Sequence, residues 1–348
     1  MEINQQAPAF THLINLAAER FGAKVLWCTD DFFAEKENLI KPEKAIFIPE
    51  KFTERGKWMD GWESRRKRTE GHDEAVIQLG AAGVIKGFDV DTSHFLGNQP
   101  QYCTIDACYA PDGDWEKATW VEVLGKTMLN PGSQHLLEVD SVRTMHASSG
   151  LATHVKLHIF PDGGVARLRV YGEVKRDWNA VDATEIVDLA SAQNGALAIQ
   201  CNDMFFSHMN NLLMPGRGIH MGDGWETKRN RTPNNHDWVI IRLAHKGLLK
   251  KALIDTAHFK GNYPDAFTLE GTYIEALVPS THEVDPQAEA AALANAKWST
   301  LIERTKMQAH HEHEYEKELV CKEPVSHVRL NIFPDGGVSR MRLWGTIA

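Results

Sequence analysis

Eight histidines of this chain occur in four matched pairs: His72 with His236, His94 with His258, His135 with His313 and His154 with His327. Matched acids accompany them: Asp60/Asp223, Glu63/Glu226, Asp73/Asp237 and Asp91/Asp255. So do the arginines Arg66/Arg229 and Arg68/Arg231, with Arg65 answered by Lys228. Imidazole and carboxylate exchange protons near neutral pH. A guanidinium fork grips a carboxylate through two charge-assisted bonds. Together these groups suit acid–base work on a small anion rich in hydrogen-bonding atoms. Any one of them alone reads as a satisfied structural hydrogen bond. The whole set reads as function, because a bare β-framework has no need of so many.

Other chemistries leave weaker traces. There is no GxSxG elbow, P-loop or dinucleotide fingerprint. The His-Asp neighbours at 72–73 and 236–237 resemble a metal-ligand dipeptide, but strand alternation would point the two side chains to opposite faces. The run His310–Glu314 also looks metal-binding, yet only His313 has a counterpart in the other half, which favours a solvated loop. Cys28 and Cys201 each end an apolar run and read as buried small hydrophobes.

The pairs exist because the chain is a duplication. Leu16–Phe33 matches Leu189–Phe206, Asp60–Arg68 matches Asp223–Arg231, and Asp89–Pro100 matches Leu253–Pro264. The segment IFPDGGV recurs unchanged at Ile159–Val165 and Ile332–Val338. The domains are accordingly residues 10–175 and 183–348, joined near Arg176–Asp182. Apolar matches such as Phe32/Phe205 need only packing, and Gly61/Gly224 and Gly97/Gly261 suit turns. His154–Phe160 alternates apolar and polar residues, as does Val165–Tyr171, so each PDGG predicts the turn of a hairpin. Ala75–Leu79 and Val239–Leu243 read as short strands. Many short strands with Gly, Asn and Pro between them predict an all-β fold, two tandem sandwiches or jelly rolls. The helical exception is Gln287–Leu301, Ala-rich and absent from the first copy, a short insertion in the second.

The chain has 348 residues, enough for two full cores at 43% hydrophobic composition. A formal net charge of −9 argues against general affinity for nucleic acid. No apolar run reaches the roughly 18 residues of a membrane span, and Met1–Gln6 lacks the order of a secretory signal. Five cysteines without CxxC spacing fit reduced thiols. These features predict a cytoplasmic protein that binds neither membrane nor nucleic acid.

The segments ERGKWMDGWESRRKR, GHDE, DVDTSHFLGNQP and THVKLHIFPDGGVARLRVYG, with their second-half counterparts, resemble allantoicase over nearly the whole chain. The resemblance implies a jelly-roll sandwich of galactose-binding type in each half. It further implies hydrolysis of allantoate to (S)-ureidoglycolate and urea in allantoin and purine degradation, and a homo-oligomer. One position departs: Glu74 stands where the second copy has Trp238, the residue that family members commonly carry.

Tested against that reaction, Arg66, Arg68, Arg229 and Arg231 are candidates for the substrate carboxylate. Glu63, Asn98, Glu226 and Asn262 are candidates for its ureido groups. Expulsion of urea needs an acid at the leaving nitrogen and a base for water or for the remaining ureido nitrogen. His72, Asp73, Asp91 and His94, or His236, Asp237, Asp255 and His258, are the candidate catalytic groups. The same histidines and acids could hold Mn²⁺ or Zn²⁺, but their spacing matches no standard metal signature, so the reading assigns no metal ligands. Alternatives are a duplicated carbohydrate- or ligand-binding sandwich without catalysis, since fold does not decide function, or a hydrolase of a related ureido compound.

Overall fold

The computed structural model describes residues 7–139, 150–274 and 284–348. The chain divides into two compact units, residues 7–175 and 176–348. Each is a β-sandwich organised by a strand of 19 residues, Asp73–Asp91 in the first repeat and Asp237–Asp255 in the second. The short runs expected at Ala75–Leu79 and Val239–Leu243 are only the beginnings of these strands.

One strand serves both layers because it changes sheet midway. Residues 73–78 pair with Lys24–Cys28 on one side and Leu151–Phe160 on the other, and Tyr102–Cys108 and Val121–Met128 extend that sheet. Residues 83–91 pair with Arg167–Val174 and Gln134–Glu138, with Ile14–Asn15 at the edge of the second sheet. The crossing falls in the Gly-Ala-Ala-Gly stretch at 80–83. A Cβ on Gly83 would lie 2.5 Å from the Glu173 carbonyl oxygen, and one on Gly247 would lie 2.4 Å from that of Thr346. Only glycine permits so close an approach. Ile77, Ile105 and Leu157 in one layer and Phe88, Val90, Leu168 and Val170 in the other are all wholly buried. Each contributes about 1.5–3 kcal/mol through its removal from water. The second repeat has the same strand order.

IFPDGGV is not the turn of a hairpin. The strands flanking it, Leu151–Phe160 and Arg167–Val174, pair with opposite ends of the long strand and not with each other. The motif therefore crosses between the two sheets. Alternation identifies a half-buried strand but not its partner, which is why the local pattern suggested a hairpin. Arg167 also departs from its place on the polar side of that pattern: it is 1% exposed, and its Nη2 meets Asp60 Oδ2 at 2.8 Å. Arg340 and Asp223 repeat this pair at 2.7 Å.

The insertion in the second repeat is a shorter helix than expected, Pro286–Ala294. Asp285 caps it by accepting from the Gln287 N–H, with proline in the first turn. Asn295 ends it, and the β-branched run that follows enters strand Ser299–Lys306, so Leu301 is strand and not helix. No helix among the described residues is long and apolar enough to cross a membrane.

Candidate active site

Both ends of the long strand reach the same end of each sandwich, where the PDGG crossover ties the neighbouring loops together. In the first repeat Gly164 N–H donates to Asn98 O (2.7 Å), Ala166 N–H to Asp91 O (2.7 Å) and Lys67 N–H to Asp162 Oδ2 (2.7 Å). Gly337 N–H to Asn262 O (2.8 Å), Ser339 N–H to Asp255 O (2.7 Å) and Asn230 N–H to Asp335 Oδ2 (2.8 Å) repeat the pattern. The paired glycines are required here. Gly163 has φ +135°, and a Cβ on Gly164 would lie 1.9 Å from the Phe95 ring. The motif recurs because it fastens the same loops in each domain.

Glu63 lies against the crossover. Its backbone pairs with Gly164 on one side and bridges Ala34 on the other, and its half-buried carboxylate accepts from Asn98 Nδ2 at 2.7 Å. Burial pushes the Glu63 carboxyl above its ordinary range, against the opposing hydrogen bond from Asn98. Glu226 and Asn262 form the same pair, and burial raises the Glu226 carboxyl likewise.

On the loop that carries Asn98, His94 adopts φ 72°, and His258 adopts φ 69° in the second repeat. This left-handed conformation is uncommon for a side chain other than glycine. His94 Nε2–H donates to Ala45 O at 3.1 Å and His258 Nε2–H to Gly218 O at 2.8 Å. A carbonyl only accepts, so Nε2 carries the proton and Nδ1 is the atom left for chemistry. The second repeat adds His310, whose Nδ1 accepts the His258 backbone N–H at 2.8 Å. Asp91 and Asp255 are buried beneath these loops and accept from Ser93 N–H (2.7 Å) and Ala257 N–H (2.8 Å), which shapes the turn before each histidine. Asp255 also holds Arg217 Nε at 2.9 Å.

The sequence matches the family pattern described as the allantoicase repeat over residues 14–175 and again over 187–348. A probable allantoicase of Ralstonia nicotianae is 47% identical over 99% of this chain and 98% of that protein. The chain belongs to the allantoicase family. Another probable allantoicase, from Pseudomonas syringae, is 46% identical over 98% of each chain. The crystal structure of the Saccharomyces cerevisiae allantoicase matches with a TM-score of 0.77 and 35% identity, covering 95% of this chain and 92% of that one. The chain is a hydrolase of allantoate, giving ureidoglycolate and urea, and neither the sugar-binding reading nor the related ureido substrate is needed.

Within the allantoicase repeats, the sequence candidates fall into three groups. Glu63 holds Asn98, from the loop that follows Asp91 and carries His94, and Glu226 likewise holds Asn262, from the loop that follows Asp255 and carries His258. Arg66, Arg68, Arg229 and Arg231 lie exposed on the segments leaving the two glutamates, and no hydrogen bond or ion pair is recorded for them among the described residues. The third group is built otherwise. Asp73 is 1% exposed, and its Oδ1 accepts from Lys67 Nζ (2.7 Å) and Thr29 Oγ1 (2.9 Å). Asp237 is buried and accepts from Asn202 Nδ2 at 2.9 Å. His72 turns away from Asp73 toward the outer face of the sheet, against the Phe160 ring, and His236 stacks on Phe333. His135 and His313 spend both ring nitrogens on backbone groups (2.8 Å and 2.8 Å; 3.0 Å and 2.8 Å), which accounts for their pairing by turn structure.

Sequence reasoning missed Asp30 and Asp203. Asp30 holds Arg65 Nε at 2.7 Å, and its carbonyl accepts from Trp62 Nε1–H, as that of Asp203 does from Trp225. Both lie inside the matched segments TDDFF and NDMFF, so the duplication itself could have revealed them.

Proposed function

We propose that each allantoicase repeat carries its own active site at the loop end, with Glu63 or Glu226 as general base and His94 or His258 as general acid. The observation that carries this reading is the half-buried glutamate held by an asparagine from the same loop that carries a tethered histidine, built twice. Direct displacement by water and elimination through an imine share one need: a proton removed and a proton delivered to the leaving nitrogen. A carboxylate lifted by burial is a stronger base than an ordinary one. Asn98 occupies Oε1, which leaves Oε2 for the proton of water or of the remaining ureido group. Protonated at Nδ1, His94 delivers its proton to the departing ureido nitrogen as the C–N bond breaks, and urea leaves neutral. The exposed guanidiniums of Arg66 and Arg68, or Arg229 and Arg231, grip the substrate carboxylate. Asp91 and Asp255 position the histidine loop.

The same reading makes the protein cytoplasmic, supported by five free cysteines. It makes the assembly a homo-oligomer, supported by exposed Ile46, Phe47, Ile48 and Phe52. Light scattering on the purified chain checks the latter, and a monomer at working concentration overturns it. The test of the site is urea release from allantoate by a variant carrying Glu63→Gln and Glu226→Gln. A fall in kcat of about 10²–10⁴ with an unchanged melting temperature is expected; full turnover refutes the assignment.

A further inference from the structure

The outer face of the first repeat's larger sheet carries a cluster that the reaction does not use. Glu74 and His158 are direct partners across neighbouring strands. His72, just before the long strand, lies beside them with its ring on Phe160, ring centroids 4.6 Å apart. His72 Nε2 is 2.9 Å from His158 Nδ1 and 3.6 Å from Glu74 Oε2, and His158 Nδ1 is 3.0 Å from the same oxygen. The edges of a tetrahedron around Zn²⁺ are about 3.3 Å for ligand bonds near 2.0–2.1 Å, so the three atoms already stand at chelating separations. His158 turns its other nitrogen to Asp106 Oδ2 at 3.1 Å, the carboxylate–imidazole link that orients metal-bound histidines. All four side chains are half-buried. The nearby Lys156 ammonium is directed over the Trp120 ring, 4.5 Å from its centroid.

The second repeat serves as a built-in control. Trp238 replaces Glu74, Asn331 replaces His158, and Glu270 in the place of Asp106 is taken by Asn331 Nδ2 (2.8 Å) and Arg329 Nε (2.8 Å). Two of the three ligands are therefore absent there, His236 alone being kept, while the fold is retained.

We propose that His72, Glu74 and His158 form a binding site for one divalent late transition metal, Zn²⁺ by ligand type, with water at the remaining position and Asp106 orienting His158. The site pins the segment before the long strand to the sheet face. The rival state is metal-free, with a protonated His158 bridging the two carboxylates: burial opposes its charge, but Asp106 and Glu74 lift its pKa to about 9.

The experiment is calorimetric titration of chelator-stripped full-length protein with Zn²⁺ alone, together with the visible spectrum of the Co²⁺ form. One tight equivalent per chain is expected, with a Co²⁺ spectrum of low coordination number. Glu74→Trp and His158→Asn, which import the second repeat's residues, should abolish that equivalent. Asp106→Asn should weaken it about 10–100-fold. Circular dichroism of the stripped variants checks that they fold. Absence of saturable binding, or tight binding that survives Glu74→Trp, His158→Asn and His72→Ala alike, would overturn the proposal.

Discussion

Glu63 and Glu226 are ordinary residues in an unordinary place, and the consequence is visible in pH. Burial lifts their carboxyls above the usual 4.5. A base must be deprotonated, so kcat should fall on the acid side at a pH higher than an unperturbed glutamate would set. A pH–rate profile checks this; an acid limb at or below the ordinary glutamate value contradicts the base assignment. His94 and His258 offer a second test because asparagine tolerates the same left-handed backbone. The double replacement His94→Asn and His258→Asn should lower kcat by about 10²–10⁴ while the melting temperature moves little. Equal losses in turnover and stability would mean that the histidines only shape the loop.

At the scale of elements, the two repeats bury different charged groups. In the second, the inserted helix carries Glu289 under the sheet, where it meets Arg242 Nη1 (3.1 Å) and His327 Nε2 (3.1 Å). Removing one partner from a buried ion pair destabilises by about 3–5 kcal/mol. Glu289→Ala should therefore lower the unfolding free energy by that order in a denaturant titration. In the first repeat the long strand carries Asp89, 4% exposed, where the second has Leu253. Burial chiefly, with the Asp91 charge, raises the Asp89 pKa from 3.8 to about 6, and Arg169 only partly offsets this. The native state thus holds the proton more tightly than the unfolded chain, and stability falls as pH rises from about 4 through about 6. Asp89→Asn should stabilise the protein at pH 7 by up to about 3 kcal/mol, and the gain should vanish below about pH 4. Melting curves at the two pH values measure it, and a gain independent of pH would contradict the linkage.

For the whole molecule the question is how many sites work. Each repeat has the proposed base, its asparagine, the tethered histidine and two exposed arginines. Glu63→Gln alone and Glu226→Gln alone should each leave roughly half of the turnover, with the double replacement showing the about 10²–10⁴ loss. A single replacement that removes all activity would locate catalysis in one repeat only.

Much of this was legible in the residues. Duplication is a linear property, so the two repeats, the β class and the matched Glu, Asn, His and Asp of the site could be found by comparing one half with the other. Apolar alternation marked His154–Phe160 and Val165–Tyr171 as strands, because the two faces of a strand meet different media. Pairing partners were beyond that reading. Whether PDGG turns a hairpin or crosses between sheets depends on which strands lie beside its flanks, and those come from distant sequence. The burial of Arg167 against Asp60 and of Asp73 beneath Lys67 was decided likewise by long-range packing. The cluster at His72, Glu74 and His158 stayed hidden for a different reason: comparing the halves reveals what they share, and at Glu74 and His158 the halves differ. Only folding places residue 158 beside residues 72 and 74, since hydrogen bonding between strands sets the register that no single strand contains.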